Sequence, residues 1–563
     1  MQAGPAARTL RSEVALRAYP DRVTDDLVRW ASTTPSSIFL AERRAGAWET
    51  IDFASMYERV RRIAGALLDA GGSQDRPLAI VAENGIDHAA VALAAMHAGI
   101  PVSPISTGYA RSDADPARVA ALFAVLQPFA AFVPDAGPAA RIAAAVPQLR
   151  IVRDAAALDG DPSRSDRAHG AVGPDTIAKI LFTSGSTGTP KGVITTNRML
   201  CANQTMLEQV WPEATRSPVL VDWAPWSHTA AGNKTFGMVL RNGGTLYVDE
   251  GKPAPGAFDA TLRNLREIAP TFYFTVPRGW TLLFEAFEWD EALAQRFFSR
   301  VRILLNAGAS IPETLRARLA VLAQRYAARR IPVVSAWGAT ETAPMATAVW
   351  GARPASYETI GTPVPGVEIK LTPVEDRYEL RVRGPNVTPG YWRDAAATAA
   401  AFDAERFFKS GDAGALLDPA DPSRGIVFGG RLSENFKLSS GTWVNAGLLR
   451  LDVLEAGDGA IDDIVFAGAD RDEVTALVFV GRGLAEDPAS AERVRAAVAR
   501  HNERNPASST RIARVVIAAE PPNAALGEIT DKGSVNQRRV LQNRAGDVAR
   551  LYAEPTAPGV IVS

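Results

Sequence analysis

The chain has 563 residues, 47% of them apolar and 22% charged, which fits a globular protein of two or more domains with sizeable cores. Its 61 basic and 62 acidic residues leave a net charge of −1, so no long-range field draws it toward nucleic acid or an anionic membrane. The single cysteine, Cys201, excludes an internal disulfide and a cysteine-based metal centre, and the five histidines show no HExxH-like spacing.

Residues 1–20 contain basic residues but no continuous apolar core, so no signal peptide is expected. No uncharged apolar run of ~18 residues is present to span a bilayer, and a reducing, cytoplasmic location is the expectation. Cys201 reads as a small buried hydrophobe. Arg538 and Arg539 read as a solvated helix face.

The first helix is expected over 56–70, where Val60, Ile63, Ala64, Leu67 and Leu68 share a face and Gly71-Gly72 stops it. A short strand is expected over 77–82, an Ala-rich helix over 88–98 and a strand over 99–103. This β–helix–β rhythm runs through the first 400 residues and predicts parallel sheets covered by helices. Residues 154–174 read as a surface linker. Beyond residue 433 the pattern shortens, with strands near 463–467, 475–480 and 513–518 and a helix near 491–501. The predicted organisation is a large N-terminal α/β domain of parallel or mixed sheets over 1–432. A C-terminal α+β domain of about 130 residues follows over 433–563.

The sharpest segment is Ile180-Leu-Phe-Thr-Ser-Gly-Ser-Thr-Gly-Thr-Pro-Lys-Gly-Val-Ile194. An apolar strand runs into Thr183, Ser184, Gly185, Ser186, Thr187 and Gly188, and Lys191 follows. Glycines let a backbone approach a ligand, hydroxyls and free N–H groups suit phosphate oxygens, and lysine adds a point charge. A plain Gly/Ser turn explains the glycines but not the donors ending in lysine. The Walker pattern fails, because Pro190 precedes Lys191 and Gly192 follows it.

Four further motifs follow in order: Asn306-Ala307-Gly308-Ala309 after a strand over 301–305, Ser335-Ala-Trp337-Gly338-Ala-Thr340-Glu341, Lys409-Ser-Gly-Asp412, and Gly430-Arg431-Leu-Ser433-Glu-Asn-Phe-Lys437. Gly527-Glu-Ile-Thr-Asp-Lys532 comes last. Taken singly, each reads as core packing, a cap or ordinary surface. Together and in this order they resemble the adenylate-forming superfamily of acyl-CoA synthetases, peptide-synthetase adenylation domains and luciferases.

That resemblance implies roles. Residues 183–188 and Lys191 hold phosphates. Ala307, Gly308 and Ala309 pass between nucleotide and acyl group. Trp337 stacks on adenine beside Gly338, Thr340 bonds the α-phosphate, and Glu341 holds Mg²⁺. Asp412 and Arg431 take the ribose. Ser433 is the hinge of a smaller, mobile C-terminal domain, Lys437 and Gly441 serve the thioester step, and Lys532 is the catalytic lysine of adenylation. Pro225-Trp-Ser-His228-Thr-Ala-Ala-Gly-Asn233 and Phe436-Lys-Leu-Ser-Ser-Gly-Thr-Trp-Val444 resemble feruloyl-CoA synthetases, from which the chain departs at Ala231, Lys234, Asn445 and Ala446.

By that branch His228 faces the carboxylate, and Phe272, Tyr273 and Phe274, with Gly308, wall an acid pocket whose aromatic faces suit a flat ring. The implied reaction joins a hydroxycinnamic or related aromatic acid to coenzyme A through an acyl-adenylate, using ATP and Mg²⁺. A monomer or homodimer is expected. One alternative is a ligase that loads a carrier-protein thiol. Another, of a different class, is a nucleotide-binding regulatory protein without catalysis. Lys191, Thr340, Glu341, Asp412, Arg431 and Lys532 favour the enzyme.

Overall fold

The computed structural model describes residues 7–563 apart from 113, 185–189, 255, 307–312, 328, 351–358, 375–376, 458, 482, 524–525 and 530–534. Among the described residues no helix is long and apolar enough to cross a membrane. The first predicted helix forms over Phe53–Asp69. Asp52 caps it by accepting from the Ser55 N–H, and Phe53, Met56, Val60, Ile63, Ala64 and Leu67 are buried. The Ala-rich segment forms Ile86–His97, buried on every side, as a helix between layers must be.

A six-stranded sheet runs in the order Arg150–Val152, Ala130–Phe132, Leu78–Ile80, Val102–Pro104, Ile177–Ser184, Pro190–Thr196. All neighbours are parallel except the last two, which form an antiparallel hairpin. A second sheet sets Val219–Asp222, Thr245–Val248 and Ile38–Arg44 parallel, with Ala47–Asp52 antiparallel at its edge. A third, all parallel, holds Phe272–Thr275, Ile303–Asn306 and Val333–Val334. The last two sheets abut where the Thr271 N–H donates to the Val219 carbonyl at 2.8 Å.

The parallel rhythm does not reach residue 400. From Ala336 to Arg431 the strands pair antiparallel. Glu368–Val374, Arg377–Arg383, Phe408–Leu416 and Ile426–Arg431 form a meander, with Arg8–Arg11 on its outer edge. The physical reason is legible in Arg377–Arg383, RYELRVR, where Leu380 and Val382 face the core and charged residues alternate with them.

Residues 154–174 also differ from the expected linker. They contain a helix, Pro162–Ala171, whose Asp161 cap accepts from the Ser163 N–H. This helix has almost no apolar face and docks through ion pairs: Arg61 Nη2 lies 2.5 Å from Asp166 Oδ2, and Arg164 pairs with Asp69. Its approach depends on glycine. A Cβ on Gly160 would sit 2.2 Å from the Ala66 backbone nitrogen.

The C-terminal region packs its own core. Its sheet, Asp463–Ala467, Val474–Phe479, Ile512–Ile517 and Val560–Val562, is covered by Ala446–Gly457 and Pro488–Arg504 on one side and by Gln537–Asn543 and Ala545–Leu551 on the other. Leu449, Val453, Phe466, Val478, Val494 and Val498 form one cluster, separate from the N-terminal cores. The fold is therefore a large N-terminal α/β domain and a smaller C-terminal α+β domain. Cys201 is buried in the main core, and burial raises its thiol pKa.

One buried ion pair anchors the C-terminal domain. Glu528 is 1% exposed, and its Oε2 accepts from Arg544 Nη2 at 2.8 Å and from the Asn523 N–H at 2.8 Å. Burial raises the Glu528 pKa, but Arg544 and the Asn523 N–H outweigh it, and the net shift is downward. Arg544 also caps the carbonyls of Glu520 and Pro521. Arg544→Met should therefore destabilise this domain by about 3 kcal/mol at neutral pH, because it strands a buried carboxylate. A lowered carboxylate pKa stabilises above the unfolded value of about 4.3 and loses that stabilisation as pH falls through the folded value. Urea melts of the two proteins should thus converge in acid and separate at pH ~7.

Candidate active site

The glycine-rich segment is flanked by two paired strands. Strand Ile177–Ser184 pairs antiparallel with Pro190–Thr196, setting Thr183 opposite Lys191 and Ser184 opposite Pro190. Gly185, Ser186, Thr187 and Gly188 lie outside the described residues, as does the Ser184 side chain. Lys191 is thus a strand residue. Its Nζ stands 5.3 Å from the centre of the Tyr391 ring.

Tyr391 was not singled out by the sequence, yet it joins two site residues. Its hydroxyl donates to Glu341 Oε1 at 3.0 Å. Burial, and secondarily Glu341, raises the Tyr391 pKa, so the phenol stays a donor. Lys191, Tyr391 and Glu341 therefore share one locus. Glu341 is only partly buried, and a single carboxylate beside incoming phosphates is a donor set that fits Mg²⁺, which keeps several waters.

Thr340 and Glu341 lie on a single 3-10 turn, Thr340–Thr342. The turn is held by Thr342, whose hydroxyl accepts from the Ala339 N–H at 2.8 Å, and by Asn386, which donates to the Thr342 and Met345 carbonyls, both at 2.8 Å. Gly338 is required before it, since a Cβ there would lie 1.7 Å from the Pro344 carbonyl oxygen.

Trp337 precedes this turn and points at Asp412. Its indole Nε1 donates to Asp412 Oδ2 at 2.9 Å, with both residues more than nine-tenths buried. Arg431, opposite Asp412 across an antiparallel strand pair, sets its Nε 3.7 Å from Asp412 Oδ1. With only 8% of Trp337 exposed, its most evident task is to hold Asp412, and little of the ring remains to stack on a base. Arg431 stays largely exposed at the strand end.

His228 caps a π-helix, Thr229–Thr235, with its carbonyl accepting from the Ala231 and Gly232 N–H groups at 3.1 and 2.7 Å. π-helical turns concentrate at functional sites. Phe272 and Phe274 face this turn, and Lys234 reaches both rings. Tyr273 does not join them. Strand alternation turns it to the opposite side, where it packs on Trp280 and Phe297 in a second core. Ala307, Gly308 and Ala309 lie outside the described residues.

Ser433 occupies an exposed turn directly after strand Ile426–Arg431. Lys437 and Gly441 belong to the next hairpin. Lys437 Nζ lies 4.9 Å over the Trp443 ring, and Gly441 turns at φ 81°. Lys532 lies outside the described residues. The stems of its loop are fixed: Ile529 and Val535 bridge, and Glu528 is locked to Arg544.

Known proteins are similar along most of the chain. A probable non-canonical nonribosomal peptide synthetase of Salinispora arenicola is 29% identical over 73% of this chain, which spans only 5% of that protein. A 3-[(3aS,4S,7aS)-7a-methyl-1,5-dioxo-octahydro-1H-inden-4-yl]propanoyl:CoA ligase of Rhodococcus jostii is 27% identical over 69% of this chain and 78% of its own. Feruloyl-CoA synthase of Amycolatopsis is 32% identical over 43% of this chain and 47% of its own.

Among solved structures, the A-PCP didomain of a Segniliparus rugosus carboxylic acid reductase, in complex with AMP, superposes with a TM-score of 0.75 at 21% identity. That match covers 96% of this chain and 83% of that one. ATP-bound MatB from Rhodopseudomonas palustris gives 0.70 at 21%, covering 93% and 99%. Residues 27–392 match the AMP-binding enzyme family and residues 436–556 its C-terminal domain, so the chain belongs to the AMP-binding enzyme family.

Proposed function

We propose that this protein is an ATP-dependent carboxylic acid–CoA ligase working through an acyl-AMP intermediate, with hydroxycinnamic or related aromatic acids as substrates and the cytoplasm as its location. The observation that carries the reading is the buried Trp337–Asp412 hydrogen bond at 2.9 Å beside Arg431. It holds a carboxylate against the strand that leads into the turn of Thr340 and Glu341. A fixed carboxylate suits the paired hydroxyls of a ribose, since an ionised carboxylate only accepts.

In the first step a carboxylate oxygen attacks the α-phosphorus, a P–O bond forms, and the bond to pyrophosphate breaks. Charge builds on phosphate oxygens, so catalysis is mostly positioning and neutralisation. Lys191 and Lys532 are the protein's cations for that task, and Glu341 would hold Mg²⁺, which adds further positive charge. In the second step the CoA thiol, losing its proton, attacks the acyl carbonyl and AMP leaves. His228 orients the acid at its carboxylate end. The hinge at Ser433 divides residues 1–432 from 433–563, and Lys437 and Gly441 belong to the thiol step.

The test is acid-dependent ATP–pyrophosphate exchange followed by thioester formation with CoA. Cinnamic acids bearing a para-hydroxyl should show higher kcat/KM than medium-chain fatty acids, because aromatic side chains, Phe272 and Phe274, pack beside the π-helical turn that His228 caps. The reverse ranking would remove the aromatic substrate class and keep the ligase. Exchange without thioester to CoA, rescued by a carrier protein, would redirect the second step. Absence of exchange with every acid would leave a nucleotide binder.

A further inference from the structure

Lys234 is 4% exposed, and its Nζ, fully buried, makes no hydrogen bond among the described residues. It stands 3.7 Å from the centre of the Phe274 ring and 5.4 Å from that of Phe272. An amine buried without an acceptor is unfavourable, and a ring face replaces only part of its hydration.

The side chain has been carried there by a rigid piece of backbone. Gln204 Nε2 donates to the Asn233 carbonyl at 2.8 Å and to the Lys234 carbonyl at 3.3 Å. Lys179 Nζ donates to the Gly232 carbonyl at 2.7 Å and to Asn233 Oδ1 at 3.2 Å, and Asn233 donates to Thr229 Oγ1 at 3.1 Å. The two buried lysines thus differ. Lys179 has its acceptors within the protein and serves the fold, whereas Lys234 has none among the described residues.

Beside Lys234 one acidic group is also unsatisfied. Asp222 closes strand Val219–Asp222, and its Oδ2 is buried without a hydrogen-bond partner among the described residues. It lies at the carboxyl end of a strand in a parallel sheet, the end at which α/β folds receive ligands. Burial lowers the Lys234 pKa to about 7, with Asp222 acting against it, and burial lifts Asp222 to about 6. Among the described residues the two form no ion pair, and Lys234 Nζ and Asp222 Oδ2 are each left without a hydrogen-bond partner.

Resting on the acid-ligase reading, we infer that the acid carries an acceptor oxygen remote from the carboxylate being activated, a ring hydroxyl or a second carboxylate, and that Lys234 Nζ donates to it. His228 caps the π-helical segment whose next-to-last residue is Lys234, so one turn carries a group for each end of the acid. A cation on the attacking carboxylate itself would lower its nucleophilicity, which argues for the remote position. Lys234 is therefore a specificity residue.

The experiment compares para-hydroxycinnamate, para-carboxycinnamate and unsubstituted cinnamate in ATP–pyrophosphate exchange, for the wild type, Lys234→Met and Lys234→Arg. The wild type should favour at least one oxygen-bearing acid over cinnamate by about tenfold in kcat/KM, as expected for a donor left unpaired by the plain ring. An advantage for the hydroxyl alone identifies a phenolic acid, and one for the carboxyl alone a dicarboxylic acid. Lys234→Met should bring the ratio to within about twofold with the ATP KM unchanged, and Lys234→Arg should restore part of it.

Wild-type exchange without discrimination overturns the inference whatever the variants do. So does discrimination that survives Lys234→Met, or a Lys234→Met protein in which all three acids fall equally. Those results leave the ligase reading standing. Absence of exchange with all acids removes that reading and this inference together.

Discussion

Replacing Asp412 by alanine should raise the KM for ATP about tenfold or more, because a charge-assisted hydrogen bond to a ribose hydroxyl contributes roughly 1.5–3 kcal/mol. The carboxylate is 6% exposed and fixed on both sides, by Trp337 Nε1 at 2.9 Å and by Arg431 Nε at 3.7 Å. Its orientation is set before the nucleotide arrives, so little of its interaction energy is lost to ordering. Asp412→Ala also strands the Trp337 N–H, at about 1–3 kcal/mol of stability, and a melting curve must accompany the kinetics. Asp412→Asn separates the two effects. Its amide oxygen still accepts from Trp337, so the protein should melt near the wild type while its ATP KM still rises. A folded Asp412→Asn protein with unchanged KM for ATP would take Asp412 out of the nucleotide site.

What was legible in the sequence follows from what short range can specify. The glycine-rich segment 183–191, the Thr340–Glu341 turn and the Asp412 segment are runs in which glycine, hydroxyls and a charge stand adjacent, so the spacing itself carries the signal. The buried helix Ile86–His97 and the C-terminal strands were legible because their apolar residues are contiguous. The helix Pro162–Ala171 was hidden because its stability comes from ion pairs to residues about 100 positions away, although its Asp161-Pro162 start is a helix signal.

Long range hid the rest of the site. The bond from Tyr391 to Glu341 spans 50 residues, and nothing in Gly390-Tyr391-Trp392 points to it. The aromatic run 272–274 was read as one wall, yet alternation sends Tyr273 into the core against Trp280 and leaves Phe272 and Phe274 to Lys234. The five-stranded antiparallel sheet was masked by the expectation that the earlier rhythm continues. Its first strand, Arg8–Arg11, pairs with residues more than 350 positions later, and no local pattern carries that information.

Lys532→Ala should lower acid-dependent ATP–pyrophosphate exchange by ~10²-fold or more, comparable to losing one preorganised charge donor. It should leave thioester formation from preformed aryl-adenylate and CoA close to the wild-type rate. The asymmetry follows from the proposed division of labour. Adenylation develops charge on the α-phosphate and the departing pyrophosphate, and one swing of the C-terminal domain about Ser433 would bring the lysine there. Thiolysis expels AMP and uses the other orientation, so the lysine then has no charge to meet. The loop's stems make the test clean. Ile529 and Val535 bridge across it, Glu528 is held by Arg544 at 2.8 Å, and Gln537 Nε2 donates to the Glu434 carbonyl beside the hinge turn at 3.2 Å. A side-chain truncation at Lys532 leaves those supports intact, so a loss of exchange reports charge and not unfolding. If both half-reactions fall together, the lysine acts in both steps and alternation of the domain is wrong. If neither falls, the segment Gly527–Gly533 does not carry the adenylation lysine, and Lys191 is left as the protein's cation for the first step.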